Sequence, residues 1–229
     1  MARKTNKHLT IPNLDVYEIF GKRHHLPLNS NGNPTWERIV LESTVLFCMK
    51  GYEGVTIRDI ALRIGMTPGA LYNHFPSKEK LWDVILDQAV QIFHLYLSLL
   101  AVELEQAVTF EEVLDAMIRE PRSMKNPYSC YIYSLILAEQ FRNIRAGKIY
   151  SELFLNSAMD FHDKWLAECV RRGFARPFDT KATVHWLIHN ELIGVTLRVQ
   201  ELECRLKPAL APEKLFLDWK DVLMRHVAL

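Results

Sequence analysis

The chain has little of what covalent, catalytic or membrane-spanning frameworks require. Its 229 residues include only four cysteines, Cys48, Cys130, Cys169 and Cys204, scattered through apolar stretches. They read as free thiols and not as a disulfide framework or a zinc site. No apolar run reaches the ~18 residues of a membrane span; the nearest approach, 92–102, is interrupted by His94 and Ser98. No membrane partner is therefore expected. Arg3, Lys4 and Lys7 precede no apolar segment, so no signal peptide and a cytoplasmic location are expected. The chain has no Gly-x-Ser-x-Gly elbow, no phosphate-binding loop, no His-Glu-x-x-His and no Gly-x-Gly-x-x-Gly. Neither an enzyme nor a cofactor is expected. There is no charge excess either: 28 Lys and Arg stand against 27 Asp and Glu.

What the chain does have is concentrated between Val55 and Lys78. Ile57, Ile60, Ala61 and Ile64 recur at helical spacing and mark the inner face of a helix. Gly65 follows where a helix would end in a left-handed residue. Thr67 can cap a second helix, and Pro68 suits its first position because the missing N–H would be unpaired there. Leu71 and Phe75 are core candidates, while Tyr72, Asn73 and His74 offer a phenol, an amide and an imidazole. Ser77 caps a third helix starting at Lys78. Two short helices around a tight turn, the second with polar groups at its exposed edge, suit the major groove of double-stranded DNA.

The exact run resembles the DNA-binding domain of the TetR (TetR/AcrR) family of bacterial transcriptional regulators. The resemblance covers roughly residues 36–86 and includes Phe47, Gly51-Tyr52, Thr56, Ile60-Ala61, Gly65, Leu71-Tyr72, His74-Phe75 and Lys78-Glu79-Lys80-Leu81. It implies an all-α fold, with an N-terminal helix-turn-helix domain and a larger helical domain for ligand sensing and dimerisation. The expected divisions are an extension at 1–33, the DNA-binding domain at 34–80 and the sensor at 81–229. The resemblance further implies DNA contacts at Thr56, Arg58, Thr67, Pro68, Gly69, Ala70, Tyr72, Asn73, His74 and Lys78, with His74 and Lys78 on phosphates. Gly69 and Ala70 offer few hydrogen-bonding groups, which shifts specificity toward Arg58, Tyr72, Asn73 and methyl contacts to thymine. Charge agrees with this placement. Residues 1–80 carry 11 basic against 7 acidic side chains, +4, and residues 81–229 carry 17 against 20, −3.

The rest of the chain reads as helices. A short turn or two of helix is expected at 14–20. Longer helices are expected near 34–50, 77–100, 109–119, 127–145, 148–172, 179–206 and 212–227, with no competing strand pattern. The sensor is rich in aromatic residues, and apolar walls with a few polar handles suit a hydrophobic or aromatic effector. Phe93, Tyr96, Tyr131, Phe154, His162, Trp165, His185, Trp186 and His189 are the candidate ligand-binding residues, with Asn190 and Glu191 as further polar handles. His185 and His189 stand four apart, a metal-compatible spacing, but no third ligand is identifiable and no metal site is expected. The two last helices are expected to form a homodimer interface anchored by Trp186, Ile193, Leu197, Leu215 and Trp219, so that two copies read a palindromic operator. The function expected is a ligand-released repressor. The alternatives are an activator of the same fold or a ligand-independent architectural DNA binder.

Overall fold

Helix α1 (Pro34–Lys50) buries Ile39, Val40, Leu46 and Phe47. The computed structural model describes residues 16–19, 22–25, 34–123, 127–204 and 211–229. Against α1 folds α2 (Ile57–Ile64), and against α2 folds α3 (Pro68–Tyr72). Helix α4 (Lys78–Gln106) then runs for 29 residues, about 43 Å at the usual helical rise. The remaining helices are α5 (Phe110–Ser123), α6 (Pro127–Glu139), α7 (Ile144–Lys148), α8 (Ala158–Arg171), α9 (Thr180–Val199) and α10 (Pro212–Val227). Two wide-turn π-helical segments interrupt them: Ile149–Ser157 joins α7 to α8, and Gln200–Cys204 extends α9.

The helical body agrees with the sequence reading, with local corrections. Residues 16–19 are not helical. Val16–Ile19 pairs antiparallel with Lys22–His25, Val16 opposite His25, so a small β-hairpin precedes the helices. Branched and aromatic residues around a two-residue Phe20-Gly21 spacer favour that pairing over a helical turn. The stretch expected as one helix over 127–145 is broken at 140–143, where the Asn143 side chain accepts from the Ala146 N–H (3.0 Å) and starts α7. Helix α5 runs on through Pro121 to Ser123. Gly173 does end α8, at φ +73°, and Asp179 does cap α9, accepting from Ala182 N–H at 2.9 Å. Arg3, Lys4 and Lys7 lie outside the described residues. The expected domain boundary at residue 80 falls in the first turn of α4.

Helix α4 holds the fold together. It packs on α1, α5, α6, α8 and the first π segment, and buries Leu81, Trp82, Ile85, Leu86, Ala89, Ile92, Phe93, Leu100 and Leu104. By length and composition it could cross a membrane, with a mean hydropathy of 1.5 over its most apolar 18 residues. The sequence reading missed this, because isolated polar residues such as His94 and Ser98 break the run without lowering its mean much. Of that window 39% is buried against neighbouring helices.

Candidate nucleic-acid interface

The α2–turn–α3 unit is fixed by capping at every joint. Thr56 and Asp59 form a reciprocal capping box: Asp59 N–H donates to Thr56 Oγ1 (3.2 Å) and Thr56 N–H to Asp59 Oδ2 (2.8 Å). The hydrogen bonds from Thr56 hold the Asp59 carboxyl below its ordinary pKa. Gly65 sits at φ +72°, and Met66 N–H reaches back to the Ala61 carbonyl (2.9 Å), which turns the chain off α2. Thr67 Oγ1 then accepts from Ala70 N–H (3.2 Å), with Pro68 in the first turn. Arg63 pairs with the buried carboxylate of Glu42 and ties α2 to α1.

This leaves a contiguous edge in solvent. Thr56, Arg58, Thr67, Pro68, Gly69 and Asn73 are exposed, Tyr72 is 50% exposed, and Ala70 and His74 are partly covered. Ile60, Leu71 and Phe75 are buried beneath them. Nothing lies within 4 Å of where a Gly69 side chain would begin, and its φ is not left-handed. The chain's own packing therefore does not require glycine there.

Lys78, expected to contact a phosphate, is held at the start of α4 by contacts within the chain. Its ammonium donates to the Tyr52 carbonyl (3.1 Å) and the Val55 carbonyl (3.2 Å), and sits 4.0 Å from the centroid of the Tyr52 ring. Tyr52 in turn stacks among Phe47 and Trp82, at 5.6 and 4.9 Å between centroids. Burial, then the neighbouring Glu79 carboxylate, pushes the Tyr52 phenol up to about 12. The Tyr52 N–H donates to Glu139 Oε1 (3.0 Å) at the end of α6, and that carboxylate side chain is buried. One residue thus joins three elements, through its N–H to α6, its carbonyl to α4 and its ring to α1. Sequence reasoning had no signal for Glu139, which is 87 residues away.

The candidate ligand residues divide into groups. Phe93 and Phe154 are buried and in contact (5.4 Å), and Phe154 stacks on Tyr133 at 4.3 Å. His162 is wholly buried with neither ring nitrogen hydrogen-bonded, and burial lowers its pKa to about 4. Trp165 and Tyr96 are half-buried against the core. Tyr131 is buried and donates to Glu203 of the second π segment, which pushes its phenol up after the dominant effect of burial. His185, Trp186 and His189 do not join these residues. They occupy the solvent side of α9, with Trp186 68% exposed, while Val184, Leu187 and Ile188 turn inward. His189 Nδ1 lies 2.5 Å from the His185 carbonyl, and no metal-holding cluster of three is present among the described residues. Of the proposed dimer anchors, Trp186 and Ile193 are exposed. Trp219 is buried within the chain, its Nε1 donating to the Thr183 carbonyl (3.3 Å).

Comparison with known proteins follows the same lines. Residues 39–84 match the family model of bacterial regulatory proteins, tetR family. The transcriptional repressor KstR2 of Rhodococcus jostii (strain RHA1) is 36% identical over 73 residues, 31% of this chain and 36% of that protein. The matched segment thus spans about a third of that relative's length. Among solved structures, a TetR transcriptional regulator from Chloroflexus aurantiacus J-10-FL superposes with a TM-score of 0.66 at 24% identity, over 86% of this chain and 98% of that one. The ketosteroid regulator KstR2 of Mycobacterium tuberculosis superposes with a TM-score of 0.62 at 14% identity, over 88% and 99%. The likeness to solved structures therefore extends through the C-terminal helices, where sequence identity is low. With the helix-turn-helix and its caps in place, residues 39–84 match the DNA-binding region of bacterial regulatory proteins of the tetR family, and the helical body shares the fold of solved regulators.

Proposed function

We propose that this chain is a sequence-specific DNA-binding transcriptional regulator of the cytoplasm. It would act as a homodimer on a palindromic operator and be released by a small effector. The observation that carries the reading is the exposed edge of Arg58, Thr67, Tyr72, Asn73 and His74, mounted on a unit whose every turn is capped. Residues 34–80 form the reading unit and 81–229 the sensing and dimerising body. Arg58 and Asn73 have the donors to read base edges; Thr56, Thr67, Tyr72 and His74 suit phosphate and sugar contacts; Pro68, Gly69 and Ala70 let the backbone approach. Lys78 acts as a positioning residue through Tyr52 and Val55. The relatives' names favour repression, since the Rhodococcus protein is a repressor.

The dimer reading rests on exposed apolar side chains of the last two helices. Trp186 and Ile193 of α9 and Leu217 and Val222 of α10 are all more than two-fifths exposed.

The test is selection of bound duplexes from a random pool, followed by mobility shifts. A regulator yields an inverted repeat with half-sites about one helical turn apart, roughly 34–36 Å. Asn73→Ala then costs on the order of 1–3 kcal/mol on the selected site and nothing on random DNA. A pool that stays random after selection would leave only an architectural, sequence-indifferent binder.

A further inference from the structure

We infer that the DNA-contacting surface extends past the helix-turn-helix into a cleft beside the start of α1, where Arg38 seats a deoxyribose-phosphate of the duplex flanking each half-site. This deepens, and rests on, the reading of the chain as a DNA-binding regulator.

The cleft has a volume of about 480 Å³. It is lined by Thr35 and Arg38 of α1 and by Ile64, Gly65 and Met66, where the chain turns from α2 toward α3. Its walls differ in character. Ile64 is buried and Met66 half-buried, which gives an apolar floor, while Thr35, Arg38 and Gly65 are exposed at the rim. Gly65 turns in the left-handed region, and nothing lies within 4 Å of where a side chain on it would begin, so the mouth stands open at that point. The lining ends one residue before Thr67, the exposed cap of α3 and the start of the reading edge. A DNA strand that passes Thr67 therefore continues into the cleft.

Charge points to phosphate. Residues 34–80 carry six basic side chains, and most are committed. Arg63 pairs with Glu42, Lys78 donates to the Tyr52 and Val55 carbonyls, and Lys80 lies 3.6 Å from Asp83. Lys50 stands at the opposite end of α1, and Arg58 belongs to the reading edge. Arg38 is exposed and has no hydrogen-bond or ion-pair partner among the described residues. Glu42, one turn further along α1, would be its natural partner, but holds Arg63 instead. No acidic side chain lines the cleft. A guanidinium with a free planar fork matches phosphate oxygens in pairs. The apolar floor then selects among phosphates. A deoxyribose has an apolar face to lay on Ile64 and Met66 and inorganic phosphate has none, so the fit is to the duplex backbone. Such a contact adds affinity and fixes register, and it carries no base preference.

The test uses the full chain, Arg38→Gln, and duplexes recovered from the random pool with flanks beyond the repeat. Arg38→Gln is expected to melt with the unmodified chain and to select the same repeat. Its slope of log affinity against log salt is expected to be shallower by about 1.8, or 0.9 for each of two subunits. Arg38→Lys, which keeps the charge, restores the slope. Neutral methylphosphonates placed one at a time in the flanks locate the seat: one position on each side weakens the unmodified chain and leaves Arg38→Gln indifferent. An unchanged salt slope in Arg38→Gln overturns the proposal, as do methylphosphonates that weaken both proteins equally at every position. Inorganic phosphate, titrated by calorimetry without DNA, is expected not to bind; binding that Arg38→Gln abolishes would make the cleft a small-anion site and overturn the backbone assignment. A chain that selects its repeat while Arg38→Gln behaves as the parent sinks the cleft alone. A chain that retains no duplex sinks the regulator reading with it.

Discussion

Replacing Lys78 by Met separates two roles that a lysine at a helix start can play. The substitution keeps the aliphatic stem and removes the ammonium. That ammonium donates to the Tyr52 and Val55 carbonyls at 3.1 and 3.2 Å and lies 4.0 Å from the Tyr52 ring centroid. A hydrogen bond from a charged donor contributes about 1.5–3 kcal/mol when buried, and an exposed cation–π contact about 0.5–1. Lys78 is half-buried, and water can reach the vacated carbonyls in part, so the expected loss is about 2–3 kcal/mol. For a chain of this size that lowers Tm by roughly 4–12 °C. If Lys78 instead spent its charge on a phosphate, each subunit would give up about 0.9 of the slope of log affinity against log salt, and the melt would not move. Circular dichroism melts, paired with mobility shifts between 50 and 200 mM KCl, read both quantities. A shallower salt slope with Tm unchanged would refute the positioning role assigned to Lys78.

Three further outcomes follow from particular positions. Gly69→Ala meets open space on a helical backbone, so the fold holds or gains about 0.5–1 kcal/mol by chemical melting; selected-site affinity nevertheless falls if the groove floor must approach α3, and unchanged affinity would remove Gly69 from the interface. The Glu191 carboxyl, ordinarily near 4.5, sits at about 8 in the folded chain, so its folded pKa is the raised one and its contribution to stability is complete below about pH 4.5 and lost as pH rises through about 8. Glu191→Gln should therefore gain on the parent chain by about 2 kcal/mol between pH 5 and pH 7, read as the difference between their urea midpoints; a pH-independent difference would show that the carboxyl titrates normally. Trp186→Glu, on an indole that is 68% exposed, should yield monomers by light scattering with an unchanged helical signal, whereas a persistent dimer would place the interface elsewhere.

The parts legible in the sequence are those decided within one helical turn. Thr56, Gly65, Thr67, Pro68, Ser77, Gly173 and Asp179 each take the cap or turn role that their side chain or backbone freedom dictates. The illegible parts depend on partners far along the chain. Nothing local announces that Glu139 will hold the Tyr52 amide, or that the Lys78 ammonium will turn inward. The phase of α9 was also hidden. His185, Trp186 and His189 share one side of the helix and Val184, Leu187, Ile188 and Glu191 another, and both sides carry large apolar groups, so periodicity could not choose the inner one. The π segments carry no composition of their own, because a wide turn is set by packing and not by propensity.

The thiols give the molecule a built-in clock. Among the described cysteines, burial raises Cys48 to about 12, and Cys130 and Cys169 to about 11, so almost no thiolate exists at these three at neutral pH. At Cys130 and Cys169, which are buried, an alkylating reagent must wait for the surrounding helices to part before it can react, whereas Cys48 is partly exposed. Cys48 lies on α1, Cys130 on α6 and Cys169 on α8, three separate stations along the fold. The labelling rates of Cys130 and Cys169, followed one by one by mass spectrometry, convert into an opening free energy at each, with Cys48 as the partly exposed reference. The chain thus reports on its own local breathing without a single engineered residue.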